Sequence, residues 1–266
     1  MPIKGLIFDA YGTLYDVHSV HTKTEELCPG KGDLITQIWR LKQLEYTWLQ
    51  TALRGYRDFG FLTEASLVFA LRAAGVEPSE RIIKPLLGKY LDLDPFPEAK
   101  EALGALKRRG GYQLAILSNG STAMLTALVK NSGLDAFLNE TISVDGARKF
   151  KPHPECYALV EKRLGLKTDE VLFVSSNSFD VAGAKTFRLQ GRLDQARRGC
   201  RVHRADRAGA NVSAVARQCR NPRLRTGSHR GCLDRSDHSL VSASGASHHS
   251  ALILNSRLCI PAMVRE

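Results

Sequence analysis

The chain is 266 residues long, 43% hydrophobic and formally +11 in charge, which allows one large or two modest soluble domains with a sizeable core. No apolar run reaches the length of a membrane-spanning helix. From Phe187 onward there are 15 arginines, no lysine and 5 acidic residues, while residues 1–186 hold 23 basic and 22 acidic side chains, so the body is near neutral and lacks the electrostatic footprint of a nucleic-acid binder.

Leu6, Ile7 and Phe8 form an apolar run that ends in Asp9, and Gly12 permits a tight turn just beyond it. This predicts a buried strand with a carboxylate at its C-terminal tip, where open parallel sheets form their ligand crevices. An aspartate so placed ordinarily caps a turn; the functional reading is preferred because three later stretches agree with it. From about His18 to Leu91 the chain reads as helical. Ile35, Ile38, Trp39, Leu41, Leu44, Trp48 and Leu49 recur at helical spacing, and Leu62, Leu67, Phe69, Leu71 and Ala74 continue with a second amphipathic segment ending at Gly75. The two prolines of Asp94-Pro95-Phe96-Pro97 then favour an extended connection.

Beyond that connection, apolar strands alternate with helices: helix over 98–109, strand over 113–117, helix over 121–131, strand over 141–144, helix over 154–164 and strand over 171–174. The alternation predicts an α/β fold, a doubly wound parallel sheet with helices on both faces and an inserted all-helical cap. Right-handed crossovers bring the strand tips to one edge. The expected division is a core of residues 1–17 and 92–186, a cap of 18–91, and an atypical arginine-rich, irregular tail of 187–266.

Cys28 and Cys156 lie in the body, and Cys200, Cys219, Cys232 and Cys259 lie in the tail. Their wide spacings do not describe a zinc site, and free thiols in a reducing cytosol are the expectation. The N-terminus shows no cationic segment followed by an apolar stretch and a cleavage site, so a cytoplasmic location is expected.

Phe8-Asp9-Ala10-Tyr11-Gly12-Thr13-Leu14 resembles the first motif of the haloacid dehalogenase superfamily, in the version carried by its L-2-haloacid dehalogenases. Phosphatases of that superfamily place a second aspartate where this chain has Tyr11. Leu114 to Gly120 resembles the second motif, a strand ending in a hydroxyl residue, here Ser118. Ser118 or Asn119 alone reads as the N-cap of the following helix, and the amides at such an N-terminus also bind anions. Lys149-Phe150-Lys151-Pro152-His153-Pro154 resembles the third motif. Most lysines are solvated surface charges, and Lys151 stands out through its place between two strands. Val171 to Lys185 resembles the fourth motif, with Ser175 and Asn177 where phosphatases carry acidic residues, and Asp180 as its acidic side chain. Without an acidic partner for Asp9 in either motif, a hard divalent cation lacks its usual carboxylate ligands.

The resemblance implies hydrolytic dehalogenation of short-chain L-2-haloacids to D-2-hydroxyacids, with no metal and no cofactor. It assigns Asp9 to displacement at C2 with formation of an ester, Arg40 to the departing halide, and Ser118 and Asn119 to the substrate carboxylate. By the same resemblance Lys151, Ser175, Asn177 and Asp180 are expected to surround Asp9, with Thr13 hydrogen-bonding it, and ester hydrolysis by a positioned water completes the cycle. Tyr11, Leu44, Phe59 and Phe179 are expected to line the apolar wall and Tyr157 to join the substrate-binding set, although such residues are more often ordinary core. The expected partners are a small-molecule 2-haloacid and water, with no nucleic acid and no membrane, and a homodimer, because family members often dimerise. A small-molecule phosphatase is disfavoured by Tyr11 and Ser175.

The resemblance stops near Lys185. Family members continue with a phrase like Asn-Phe-Gly-Phe-Lys-Val-Ala-Trp-Ile, whereas this chain reads Thr186-Phe187-Arg188-Leu189-Gln190-Gly191-Arg192-Leu193-Asp194-Gln195. If Arg188 to Gln195 are encoded CGG CTT CAA GGT CGC CTG GAT CAA, removing the first base gives codons for Gly-Phe-Lys-Val-Ala-Trp-Ile. A shift of reading frame near Thr186 explains this, together with the loss of lysine and of aromatic residues after Phe187. A genuine basic tail is the alternative, but it lacks the aromatic interleaving of a nucleic-acid stacking surface. The shift is expected to leave the strand over 171–174 with an unpaired edge, and makes an inactive or unstable remnant of such an enzyme the alternative function.

Overall fold

The computed structural model describes residues 2–193. β1 (Gly5–Phe8) is buried along its whole length, as expected of a central parallel strand covered on both faces. It is followed by α1 (Val20–Leu27), α2 (Gly32–Ala52), α3 (Phe59–Ala73) and α4 (Glu80–Tyr90), so the insertion after the first strand is helical. The chain then alternates through α5 (Pro97–Arg109), β2 (Gln113–Ser118), α6 (Thr122–Ser132), β3 (Glu140–Ser143), α7 (Pro154–Leu164), β4 (Val171–Ser175), α8 (Ser178–Thr186) and β5 (Gln190–Leu193). The predicted strands and helices of the core are therefore present, with boundaries shifted by a residue or so.

The sheet is parallel in the order β3-β2-β1-β4-β5. Phe8 pairs with Ile116 on one side and Val174 on the other, and the ladder extends one step as the amide of Asp9 donates to the carbonyl of Val174 at 2.9 Å. This register sets Asp9, Ser118 and Ser175 at neighbouring tips. Beyond Asp9 the amides of Thr13, Leu14 and Tyr15 all donate to the carbonyl of Ala10, and Gly12 turns the chain at φ +89°, where an L side chain is strained.

The sequence pattern placed Leu41, Trp48 and Leu49 on the buried face of α2, but all three are exposed. The inward stripe is instead Ile35, Thr36, Trp39, Gln43, Thr47 and Gln50. Periodicity of apolar residues missed it because this face is built on buried hydrogen bonds: Gln43 Nε2 donates to Thr63 Oγ1 at 2.8 Å, and Trp39 Nε1 to the carbonyl of Thr63, also at 2.8 Å. Gln43 and Trp39 are tolerated inside because their polar atoms are paired.

The edge of β4, expected to be bare, is paired. Residues 190–193 form β5 and pair with Leu172 to Ser175, so the edge is covered and residues 187–193 are not irregular. A parallel ladder is made by main-chain groups, which do not depend on the side chains. Leu189 is buried beside it. At Gly191 an added Cβ would meet Val181 Cγ1 and Lys185 Cγ at 3.1 Å, so the residue without a side chain lets the strand lie close to α8. The expectation of an irregular tail over 195–266 lies outside the described residues.

Candidate active site

Asp9 follows β1 and is almost fully buried. Its Oδ1 accepts from Lys151 Nζ at 2.9 Å, and its Oδ2 accepts from Asn177 Nδ2 at 2.8 Å and Thr13 Oγ1 at 3.3 Å. Lys151 is wholly interior. It spends its other two donors on Asp180 Oδ2 at 2.7 Å and the carbonyl of Leu117 at 3.0 Å. All three ammonium hydrogens are thereby committed, and the side chain is a fixed bridge between two carboxylates. Burial works against its charge, but Asp180 and Asp9 outweigh it, so its pKa is raised and it stays protonated.

Asp180 sits in the first turn of α8 and is completely buried. Burial pushes its carboxyl up from 3.8 to about 6, with Lys151 opposing and the negative charge of Asp9 adding to the rise. Its Oδ1 accepts from Tyr157 Oη at 2.7 Å, and that phenol also reaches the Asp180 carbonyl at 2.9 Å. Burial and the adjoining Asp180 carboxylate both raise the pKa of Tyr157, which keeps it a neutral donor.

These groups open on one cavity. Asp9, Lys151, Asn177 and Asp180 form its polar floor, Tyr11, Leu44, Phe59 and Phe179 its apolar wall, and Arg40 and Asn119 complete it. Tyr11 lies 5.3 Å from Phe59 and 5.4 Å from Tyr90, ring to ring. The helical insertion and the sheet meet over this space: Trp48 of α2 stands edge-on to Phe179 at 5.3 Å, and Tyr56 Oη donates to Asp145 Oδ1 at 2.5 Å. A carboxylate beside cationic and amide donors, facing an apolar pocket, can attack an electrophilic carbon and hold a small anion.

The positions expected from the sequence converge here, with three differences in placement. Tyr157 does not face the cavity; it stands behind Asp180 and holds that carboxylate. Ser118 and Ser175 are wholly buried and turn their hydroxyls back on their own turns, accepting from the amides of Gly120 at 3.2 Å and Asn177 at 3.1 Å. Asn119 reaches the cavity while its Oδ1 accepts from the amide of Lys151 at 2.9 Å, tying the second motif to the third. Thr13 lies beneath Asp9, joined by Ser176, whose amide donates to Thr13 Oγ1 at 2.9 Å. Ser176, Gln43 and Tyr90 were not singled out from the sequence; for Gln43 the available signal was its position three residues after Arg40 on one helical face.

A description of haloacid dehalogenase-like hydrolases matches residues 3–188. The chain belongs to that family. Among curated relatives it is 50% identical over 185 residues to an (S)-2-haloacid dehalogenase of Xanthobacter autotrophicus, covering 70% of this chain and 72% of that one. It is 46% identical over 188 residues to haloacetate dehalogenase H-2 of Moraxella sp. (strain B), covering 71% and 84%. Among solved structures, the L-2-haloacid dehalogenase of Xanthobacter autotrophicus with chloropropionic acid covalently bound superposes with a TM-score of 0.69 at 48% identity, covering 72% of this chain and 77% of that one. No helix among the described residues is long and apolar enough to cross a membrane.

Proposed function

We propose that this protein hydrolyses short-chain L-2-haloacids to D-2-hydroxyacids through an ester on Asp9, without a metal ion. The observation that carries this reading is the arrangement of Asp9 against Lys151, Asn177 and Thr13 at the floor of an apolar pocket. The ammonium of Lys151 supplies the positive charge that the carboxylate pair needs, and the covalently bound chloropropionic acid of the Xanthobacter autotrophicus relative is the expected kind of intermediate.

In the first step a carboxylate oxygen of Asp9 attacks C2 from the side opposite the halogen. The C–O bond forms as the C–X bond breaks, the halide leaves with the bonding pair, and C2 inverts. Arg40 meets the developing negative charge, where its donors are worth most, and Asn119 and the N-terminal amides leading into α6 hold the substrate carboxylate. In the second step water attacks the ester carbonyl carbon and gives a proton to Asp180. The acyl C–O bond of the ester breaks, the departing alkoxide takes the proton left on the new carboxyl group of Asp9 and leaves as the hydroxyacid, and Asp180 gives its proton to solvent, restoring both carboxylates. Ser118, Ser175 and Tyr157 act by holding the turns and Asp180 in place.

The proposed division is a core of 1–17 and 92–186 with a cap of 18–91. The assembly in keeping with the family is a cytoplasmic homodimer, for which exposed Leu34 and Leu41, two turns apart on one side of α2, offer apolar surface. Chloride released from (S)- and (R)-2-chloropropionate in excess EDTA tests the reading. Release from the (S) enantiomer alone is expected. Absence of release marks an inactive remnant, and activity abolished by EDTA marks a metal-dependent enzyme.

The pH dependence follows from Asp180. As pH falls, Asp180 takes up a proton, the water loses its acceptor, and ester hydrolysis slows. Esterification removes the charge of Asp9 that helps to raise Asp180, so the acidic limb of kcat should lie below the value of about 6 in the free protein. Asp180→Asn should accumulate the ester and lose that limb in its residual turnover. A limb unchanged in Asp180→Asn would assign the titration elsewhere.

A further inference from the structure

The guanidinium of Arg40 is held from behind. Its Nη1 donates to Gln43 Oε1 at 2.8 Å, and its Nη2 reaches the carbonyl of Tyr11 at 3.4 Å. Gln43 is wholly buried, and its Oε1 also accepts from Tyr90 Oη at 2.8 Å. Its Nε2 donates to Thr63 Oγ1 at 2.8 Å.

Which way this amide points is decided on α3. The single hydroxyl hydrogen of Thr63 is committed to the carbonyl of Phe59 at 2.6 Å, so Thr63 Oγ1 is left as an acceptor and must face an N–H. That turns the carbonyl oxygen of Gln43 toward Arg40 and Tyr90, both of which are donors. A flipped amide would set donors against donors in a buried place and leave them unpaired. The order of Gln43 is therefore imposed by a main-chain carbonyl next to the cavity, through Thr63. Neither Gln43 nor Thr63 lines that cavity.

We propose that Gln43, backed by Thr63, is a positioning residue that fixes the rotamer of Arg40 and so sets the site that receives the departing halide; this rests on the assignment of Arg40 to that halide. Arginine is long and flexible, and its forked donors act on a developing charge only when they are held in advance. One hydrogen of each terminal nitrogen is used on Gln43 and Tyr11, and the guanidinium also meets the Tyr90 hydroxyl, which leaves the rest of its five N–H donors for an anion.

The test compares single-turnover halide release from 2-chloro- and 2-bromopropionate in the wild type, Arg40→Lys, Gln43→Met and Thr63→Val. Chloride is the poorer leaving group and needs more help from Arg40. Gln43→Met should slow chloride loss by roughly tenfold and bromide loss by less, with little change in KM, and should raise the bromide inhibition constant. Thr63→Val, nearly isosteric, should shift the bromo-to-chloro ratio the same way by a smaller factor. It carries the test alone if Gln43→Met does not fold. A ratio that moves in Arg40→Lys but stays at the wild-type value in the other two, including a common loss on both substrates, overturns the role of Gln43 and leaves that of Arg40 intact. A ratio unmoved in Arg40→Lys overturns both.

Discussion

Asp9→Asn is expected to abolish halide release, with a loss on the order of 10⁴-fold or more, the scale on which removal of a covalent nucleophile acts. The amide is nearly isosteric but is a poor nucleophile, and no neighbouring side chain can take over. Asp180 is the nearest other carboxylate on the cavity floor, and it is bound through both oxygens to Tyr157 and Lys151. The fold should survive, because Lys151 keeps Asp180 as counter-charge and one carboxylate fewer shares the buried site. Thermal melting checks the second point and chloride release the first. Activity within tenfold of wild type would remove Asp9 from the chemistry.

Lys151→Met should have the next largest effect, and on stability as well as rate. It leaves Asp9 and Asp180 buried without their shared cation, and breaking a buried ion pair by removing one partner costs roughly 3–5 kcal/mol. For a body of this size that corresponds to a fall in Tm of about 10 °C. The deficit should grow with pH. In the variant a carboxyl has its folded pKa raised, so its contribution to stability is full below the ordinary value of 3.8 and is lost as pH rises through the folded value. The wild type, with Lys151 in place, suffers less of this loss. Melting curves of both proteins at pH 5 and pH 8 check it; a deficit equal at the two values would mean that the carboxylates are not the origin of the instability.

What was legible in the sequence was whatever the strands announce through burial. Leu6 to Phe8, Leu114 to Leu117 and Val171 to Val174 are apolar runs that place Asp9, Ser118 and Ser175 at their ends, and parallel pairing brings the ends together. Lys151 was legible through Pro152 and Pro154 rather than through its environment. Side-chain direction was not legible. Ser118 and Ser175 turn inward because nearby amides need acceptors, and Tyr157 serves Asp180 because its helix packs behind α8. The buried face of α2 was hidden because its stripe is polar, and hydropathy cannot tell a paired glutamine from a solvated one.

β5 escaped for a different reason: its pairing is main-chain pairing and tolerates an altered sequence. Arg188, which leads into it, stands at φ +71°, a conformation that favours glycine, and glycine is what the alternative frame puts there. The same frame puts valine at 191, where a side chain would press on Val181 and Lys185, so the restored strand would have to lie slightly farther from α8. Resequencing across codons 180–200 distinguishes a shifted frame from a genuine tail.

One measurement tests the covalent role of Asp9 directly. In a single turnover with 2-chloropropionate in heavy-oxygen water, with protein in excess, attack of water on the ester carbonyl places the label in the carboxylate of Asp9. The hydroxyl oxygen of the product then comes from the unlabelled aspartate. Mass spectrometry of the peptide carrying Asp9 should show the added mass, with an unlabelled hydroxyacid. Label in the product alone, with an unlabelled peptide, would mean that water attacks C2 directly and would contradict the account.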